Sequence, residues 1–322
     1  MWKHCINKKW FTLRVRTNLA KWHLLFVLVS MGSLGLPAFA QPLPETTLPV
    51  LIADEHWKPL LQNTDSPLQQ RLEKKLSQNK RWNPLIKQQK MGVGLVDLTD
   101  PQHIKFARVN GKVEMYAASL PKIAILLASF EAFEQGTLSE TPETMQDLQK
   151  MIRVSSNKTA TRMIDRLGGL KVIEAVLRDP RYELYDEEMG GGLWVGKRYA
   201  QAGNRFPDPL KGLSHAATVT QVSRFYYLLA TGRLVSPERS QQMLQILSKP
   251  GISHKFVHSL KLLAPKANLY RKSGTWRNWH SDSVLVWGKQ WRRYILVSMV
   301  EASQGEQILR NLVPAIEEVL EH

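Results

Sequence analysis

From Leu120 to Glu134 the chain reads LPKIAILLASFEAFE, apolar on almost every side, with Gly136 following as a stop signal. A helix with no polar face must be buried on most sides, so the rest of the chain has to be arranged around it. The flanking sequence shows with what. Ahead of it, SPLQQRLEKKL (66–76) has serine, proline and then apolar residues at helical spacing, which predicts a first helix. Two extended segments follow, MGVGLVDLTD and IKFARVNGKVEMYAA, and Asn110-Gly111 in the second is a strong hairpin-turn pair.

Behind the buried helix, residues 143–153, 158–167, 170–177 and 218–229 carry helical periodicity. Residues 178–213 interrupt them with a long piece rich in Gly, Asp and Pro, and a stretch of that length inside a compact domain is usually functional. The chain then returns to strands, ANLYRKSGTW, SDSVLVWG and RRYILVSMVEA, and closes with an amphipathic helix, EQILRNLVPAIEEVLE, in which Pro314 predicts a kink. Strands at both ends and helices between them predict an α+β fold. One sheet is built from both chain ends (66–118 and 263–322) with flanking helices, and a mainly helical lobe (119–262) is inserted. A cleft is expected where the lobes meet.

The first forty residues are basic at the front, apolar from Leu24 to Val29, and end in Ala38-Phe39-Ala40. This predicts a secretory signal cut after Ala40, a periplasmic or secreted destination, and an extended leader over 41–65. Removing the signal takes six basic and no acidic residues from a formal charge of +16. The surplus near +10 suits anionic envelope polymers. No basic run is interleaved with aromatics, which argues against nucleic acid. The one cysteine, Cys5, lies in the signal, and the nine histidines show no ligand spacing, so neither disulfide, metal nor cofactor is expected.

Ser-x-x-Lys occurs three times, as Ser77/Lys80, Ser119/Lys122 and Ser155/Lys158. Ser77 sits among Lys74, Lys75 and Arg81 on a solvated helix end. Ser119 instead opens the buried helix, where outward-pointing amides favour a developing anion, and Lys122 lies on the same face in a low-dielectric setting that lowers an amine's pKa. Either Ser119 is a nucleophile with Lys122 as its base, or it is a helix cap beside a snorkelling lysine. Ser155-Ser156-Asn157 offers hydroxyls and a carboxamide from one turn, or caps the next helix. Lys272-Ser273-Gly274-Thr275 is the only Lys-Ser/Thr-Gly in the chain. On a strand it can hold a carboxylate with the ligand against the glycine.

In this order the three elements resemble the penicillin-recognising serine enzymes, the serine β-lactamases and D-Ala-D-Ala peptidases, across nearly all of the chain after the signal. The segment SHAATVTQVSRFYYLLATGRLVS is most similar to class A β-lactamases. The resemblance implies a monomeric serine hydrolase acting on a β-lactam or a D-Ala-D-Ala-type peptide. Ser119 would be acylated, with Lys122 as base or relay, and Ser155 would pass a proton to the leaving nitrogen. Asn157 would bind the substrate's side-chain amide, Lys272 and Ser273 its carboxylate, and the backbone amides of Ser119 and Thr275 would form the oxyanion hole.

Three departures stand beside it. Ser156 replaces the family's central Asp, the span from Ser119 to Ser155 is shorter than in class A, and the Glu-x-x-Leu-Asn that activates the deacylating water is absent. Glu187 and Glu188 are the nearest carboxylates in type, and Asp208 and His215 are further candidates to contact a water. For each, a solvated or capping loop residue is the alternative. Without such a base the enzyme would be a penicillin-binding protein or D,D-peptidase; with one, a β-lactamase. A non-catalytic domain holding wall peptides is the third reading. Trp276, Trp279 and His280 either line the cleft or pack the lobes, with no catalytic role given to His280.

Overall fold

The protein is described by a computed structural model over residues 47–200, 203–289 and 291–321. The expected signal and the start of the leader lie outside the described residues. The remaining leader forms a 3-10 turn at Leu60–Asn63 and is tied to the body by Val50 N–H donating to Ala230 O at 2.8 Å and by the Tyr227 hydroxyl donating to Lys58 O at 2.7 Å.

Asp65 caps helix α1 (Ser66–Ser77), whose Leu68, Leu72 and Leu76 repeat at helical spacing and are buried. Helix α2 (Trp82–Lys87) then leads to strands β1 (Met91–Asp97) and β2 (Lys105–Val109). Short β3 (Met115–Tyr116) precedes the buried helix α3 (Lys122–Glu134). Helices α4 (Pro142–Arg153), α5 (Asn157–Arg166) and α6 (Leu170–Leu177) surround it. The long Gly-rich piece contains short strands β4 (Tyr185–Asp186), β5 (Gly191–Gly192) and β6 (Trp194–Val195), and β7 (His215–Ala217) follows. Helices α7 (Val219–Ala230), α8 (Pro237–Leu247) and α9 (Phe256–Leu263) lead back to β8 (Asn268–Trp276), β9 (Trp279–Trp287) and β10 (Arg293–Glu301). Helix α10 (Gly305–Leu320) runs through Pro314 without breaking.

The long strands form one antiparallel sheet in the order β2-β1-β10-β9-β8, so the two chain ends meet at β1 and β10. One face is covered by α1 and α10 through Leu68, Leu72, Leu309, Leu312 and Ile316. The other carries the larger core around α3, twelve of whose thirteen residues are buried. The fold is therefore the α+β arrangement expected, an antiparallel sheet with flanking helices and an inserted helical lobe.

The Asn110-Gly111 hairpin is corrected. β2 pairs with β1, whereas β3 pairs with β7 in a separate three-stranded sheet. Asn110 does take the left-handed conformation (φ 53°) a tight turn needs, but its carboxamide donates to Ile86 O and Met91 O, both at 2.8 Å, and steers the chain out of the large sheet. Helices α2, α8 and α9 were not singled out in the sequence. α2 and α9 are only six and eight residues long, and the apolar residues of α8 fall only in its second half, too short a span for a periodic run.

Candidate active site

Helix α3 begins two residues later than the apolar run suggests, because Ser119, Leu120 and Pro121 form a turn ahead of it. No side chain caps this helix, so the Ser119 hydroxyl is not spent on a backbone amide. It accepts instead from Lys122 Nζ at 3.1 Å. Ala118, just before it, is held at φ 51°, the kind of backbone strain that accompanies functional turns.

Lys122 is fully buried, and its Nζ also donates to Ser155 O at 2.7 Å, Asn157 Oδ1 at 2.7 Å and Ser155 Oγ at 3.4 Å. No carboxylate pairs with it among the described residues, so burial pushes the ammonium down to about 7 and the free amine is well populated at neutral pH. Ser155 is also left-handed, at φ 59°. The cap of α5 is its neighbour Ser156, which accepts from Thr159 N–H, and this leaves Ser155 Oγ for the lysines. Ser77, the rival match, is exposed and bonds only its own helix, donating to Lys74 O.

Strand β8 lies at the sheet edge and supplies the other side of the cleft. A side chain at Gly274 would overlap the Ala117 carbonyl and stand 2.6 Å from Ser119 N, so glycine is what lets β8 lie against the Ser119 turn. Lys272 Nζ reaches Ser155 Oγ at 2.9 Å and Ser273 O at 2.6 Å, and its pKa is held well down by burial and then by Lys122. Ser155 Oγ therefore stands between two buried lysines. Trp276 is about half exposed at the end of β8 and packs on Tyr116 at 5.4 Å; Trp279 meets the same ring at 6.2 Å. His280 lies in β9 opposite Thr275 and is buried.

No hydrogen bond joins Glu187 or Glu188 to Ser119 or Lys122 among the described residues, so neither expected water-activating base is part of the Ser119 cluster. Both are exposed in the turn between β4 and β5, and Glu187 Oε1 accepts from the Arg178 guanidinium in an ion pair at 2.8 Å. Asp208 is buried but occupied, accepting from the backbone amides of Leu210, Lys211 and Leu213. Its neighbour Glu114 is pushed up to about 8 by burial and then by Asp208, so the protonated carboxyl is the favoured form at neutral pH. His215 is neutral, its pKa lowered to about 3 by burial and then by nearby Lys197 and Lys122.

Sequence reasoning missed the group that covers Lys122. The Tyr199 ring lies parallel to the His215 ring at 4.1 Å, with Lys122 Nζ 4.5 Å from its centroid and its hydroxyl donating to Ala118 O at 3.2 Å. An aromatic face thus stands beside the lysine, with no carboxylate in hydrogen-bond reach. No spacing signal marks Tyr199, which sits in an irregular loop. Lys255 was missed too: left-handed at φ 52° and fully buried, it donates to Gly274 O at 2.6 Å, Thr275 Oγ1 at 2.7 Å and Ser281 O at 3.1 Å, bracing β8 from behind. Arg271 and Asp282 form a buried two-point ion pair, at 2.7 and 2.9 Å, in the same strands.

A Ser119–Lys122 pair, a Ser155 hydroxyl between two lysines and a Lys-Ser-Gly edge strand, set on this sheet and helical lobe, define a β-lactamase-like serine hydrolase. A family model described as the beta-lactamase enzyme family matches residues 77–144 and 140–319, and the chain belongs to that family. No curated protein matches it. Among solved structures it is similar to PBP-A, at 19% identity and a TM-score of 0.59 over 85% of this chain and 99% of that one. It is also similar to an ancestral class A β-lactamase (17%, TM-score 0.57, 78% and 99% covered) and to a β-lactamase from Sphaerobacter thermophilus (16%, TM-score 0.56, 77% and 95% covered). At these identities the likeness is one of fold.

Proposed function

We propose that the protein is an envelope serine enzyme that acylates Ser119 with D-Ala-D-Ala-type peptides and β-lactams and releases β-lactams slowly. The observation that carries this reading is the continuous run of hydrogen bonds from Ser119 Oγ through Lys122 Nζ and Ser155 Oγ to Lys272 Nζ. Neutral Lys122 takes the Ser119 proton as Oγ attacks the carbonyl carbon. The oxyanion forms against the backbone amides of Ser119 and Thr275, and the proton returns through Ser155 Oγ to the leaving nitrogen. Lys272 and Ser273 hold the substrate carboxylate, and Asn157 the side-chain amide. The basic, then apolar, front segment supports export, with a cut after Ala40, to where wall peptides are met.

Tyr199 favours the penicillin-binding reading over the β-lactamase one. Hydrolysis of an acyl-enzyme needs a base within reach of a water beside the ester, and the face of Lys122 turned to the loop is covered by an aromatic ring. A single-residue variant of PBP-A, a protein of this fold, has been captured as an acyl-enzyme with penicillin G. The adduct formed with benzylpenicillin is expected to persist for hours after removal of free drug, followed by intact mass. Loss of the adduct within seconds would instead make the protein a β-lactamase whose base lies elsewhere.

A further inference from the structure

Behind the Lys-Ser-Gly strand stands a second group of polar side chains that the acylation chemistry does not use. His254 lies in the loop before α9, and its Nε2 is 3.3 Å from Ser273 Oγ. On its other side, Nδ1 is 3.7 Å from Glu306 Oε2, and Glu306 Oε1 accepts from Arg310 at 2.5 Å on α10. Ser273, His254 and Glu306 thus form a line running from the cleft to the C-terminal helix.

The proton count along that line is decided by the imidazole. Glu306 favours a proton on Nδ1, which makes Nε2 of the neutral ring an acceptor and draws the single Ser273 hydroxyl proton towards it. A carboxylate in the cleft is acceptor-only and needs the same proton. Both are satisfied when His254 carries two protons: Nε2–H then donates to Ser273 Oγ, and the hydroxyl is free to donate to the ligand.

We propose that His254, backed by Glu306, is a positioning residue for the substrate carboxylate, and that an anionic ligand binds at Ser273 together with one proton taken up by the imidazole. The inference rests on the reading that Lys272 and Ser273 receive a carboxylate. The surrounding charges fit it. Arg271 on β8 and Lys255 beside the ring disfavour the imidazolium in the free protein, whereas Asp282 on β9 and Glu306 on α10 favour it. Burial, with Arg271 and Lys255, brings His254 down to about 4, so the ring is neutral until an anion arrives. The ligand raises this pKa. Affinity is therefore greatest below the free-state value and is lost as pH rises through the bound-state value.

The test is saturation kinetics of acylation by benzylpenicillin, separating the dissociation constant of the first complex from the acylation rate. From about pH 5 to about pH 7 the wild-type dissociation constant should rise with pH by up to tenfold per unit. In His254→Gln, whose amide donates to Ser273 at every pH, the His254-linked slope should vanish while the acylation rate is unchanged. Benzylpenicillin methyl ester, which lacks the anion, should show no slope with either protein. Glu306→Gln keeps the ring but removes its carboxylate, and should move the wild-type slope to lower pH. A slope that survives in His254→Gln, as titration of Lys272 would produce, or an effect confined to the acylation rate, overturns the proposal. Absence of any adduct in the wild type would overturn the acylation site on which it rests.

Discussion

Lys122→Met should slow acylation of Ser119 by about 10²- to 10⁴-fold, the usual contribution of a positioned base. Methionine fills the same buried space but has no nitrogen to take the Ser119 proton. The wild-type acylation rate should rise with pH through about 7, as the buried lysine loses its proton, and level off above it. The sign follows from the cause: burial lowers the lysine's pKa, so the active neutral amine is the form favoured above that value. Stopped-flow acylation against pH, with the fold of the variant checked by circular dichroism, measures both effects. A variant with a wild-type rate and profile would remove Lys122 from the chemistry.

Asp282→Ala should cost about 3–5 kcal/mol of stability, a large part of the ~5–15 kcal/mol that holds a domain together. Asp282 is fully buried; it binds Arg271 at two points and accepts from Phe256 N–H at 3.1 Å and Ser283 N–H at 3.0 Å. Removing the carboxylate leaves the buried Arg271 guanidinium without its partner, and that uncompensated charge is the larger part of the cost. It also frees the start of α9, the segment that carries Lys255 and His254 to the back of β8. The midpoint of urea unfolding, at unchanged slope, reads this directly; a shift worth less than about 1 kcal/mol would mean the pair is dispensable.

Much of the site was legible in the sequence because its parts are local. An all-apolar helix has to be central, so the Ser-x-x-Lys at its start was separable from the solvated Ser77 and the capping turn at Ser155-Ser156. Of the two readings open at Ser119, the structure removes the helix cap, since α3 starts at Lys122 with no side-chain cap and the Ser119 hydroxyl lies 3.1 Å from Lys122 Nζ. The Lys-Ser-Gly strand was readable for the same reason: Gly274 marks where a backbone must approach. What stayed hidden depends on distant segments. Tyr199 and His215 come together only when the long loop folds back on β7, and His254 meets Ser273 and Glu306 across a helix start, a strand and the C-terminal helix. Glu187 and Glu188 were plausible by residue type, but Arg178, nine residues back from Glu187, had already claimed that carboxylate on the surface. Asn110-Gly111 carried the local chemistry of a hairpin, yet the next strand's partner, β7, lies about a hundred residues on.

Acylation of Ser119 is the step on which every other assignment at this site depends. Intact-mass spectrometry of the protein incubated with benzylpenicillin, followed by peptide mapping, tests it most directly. The expected result is a gain of one penicilloyl group, located on the peptide that contains Ser119 and absent from Ser119→Ala. An adduct that persists in Ser119→Ala, or a wild-type mass that never changes under any condition tried, would contradict it.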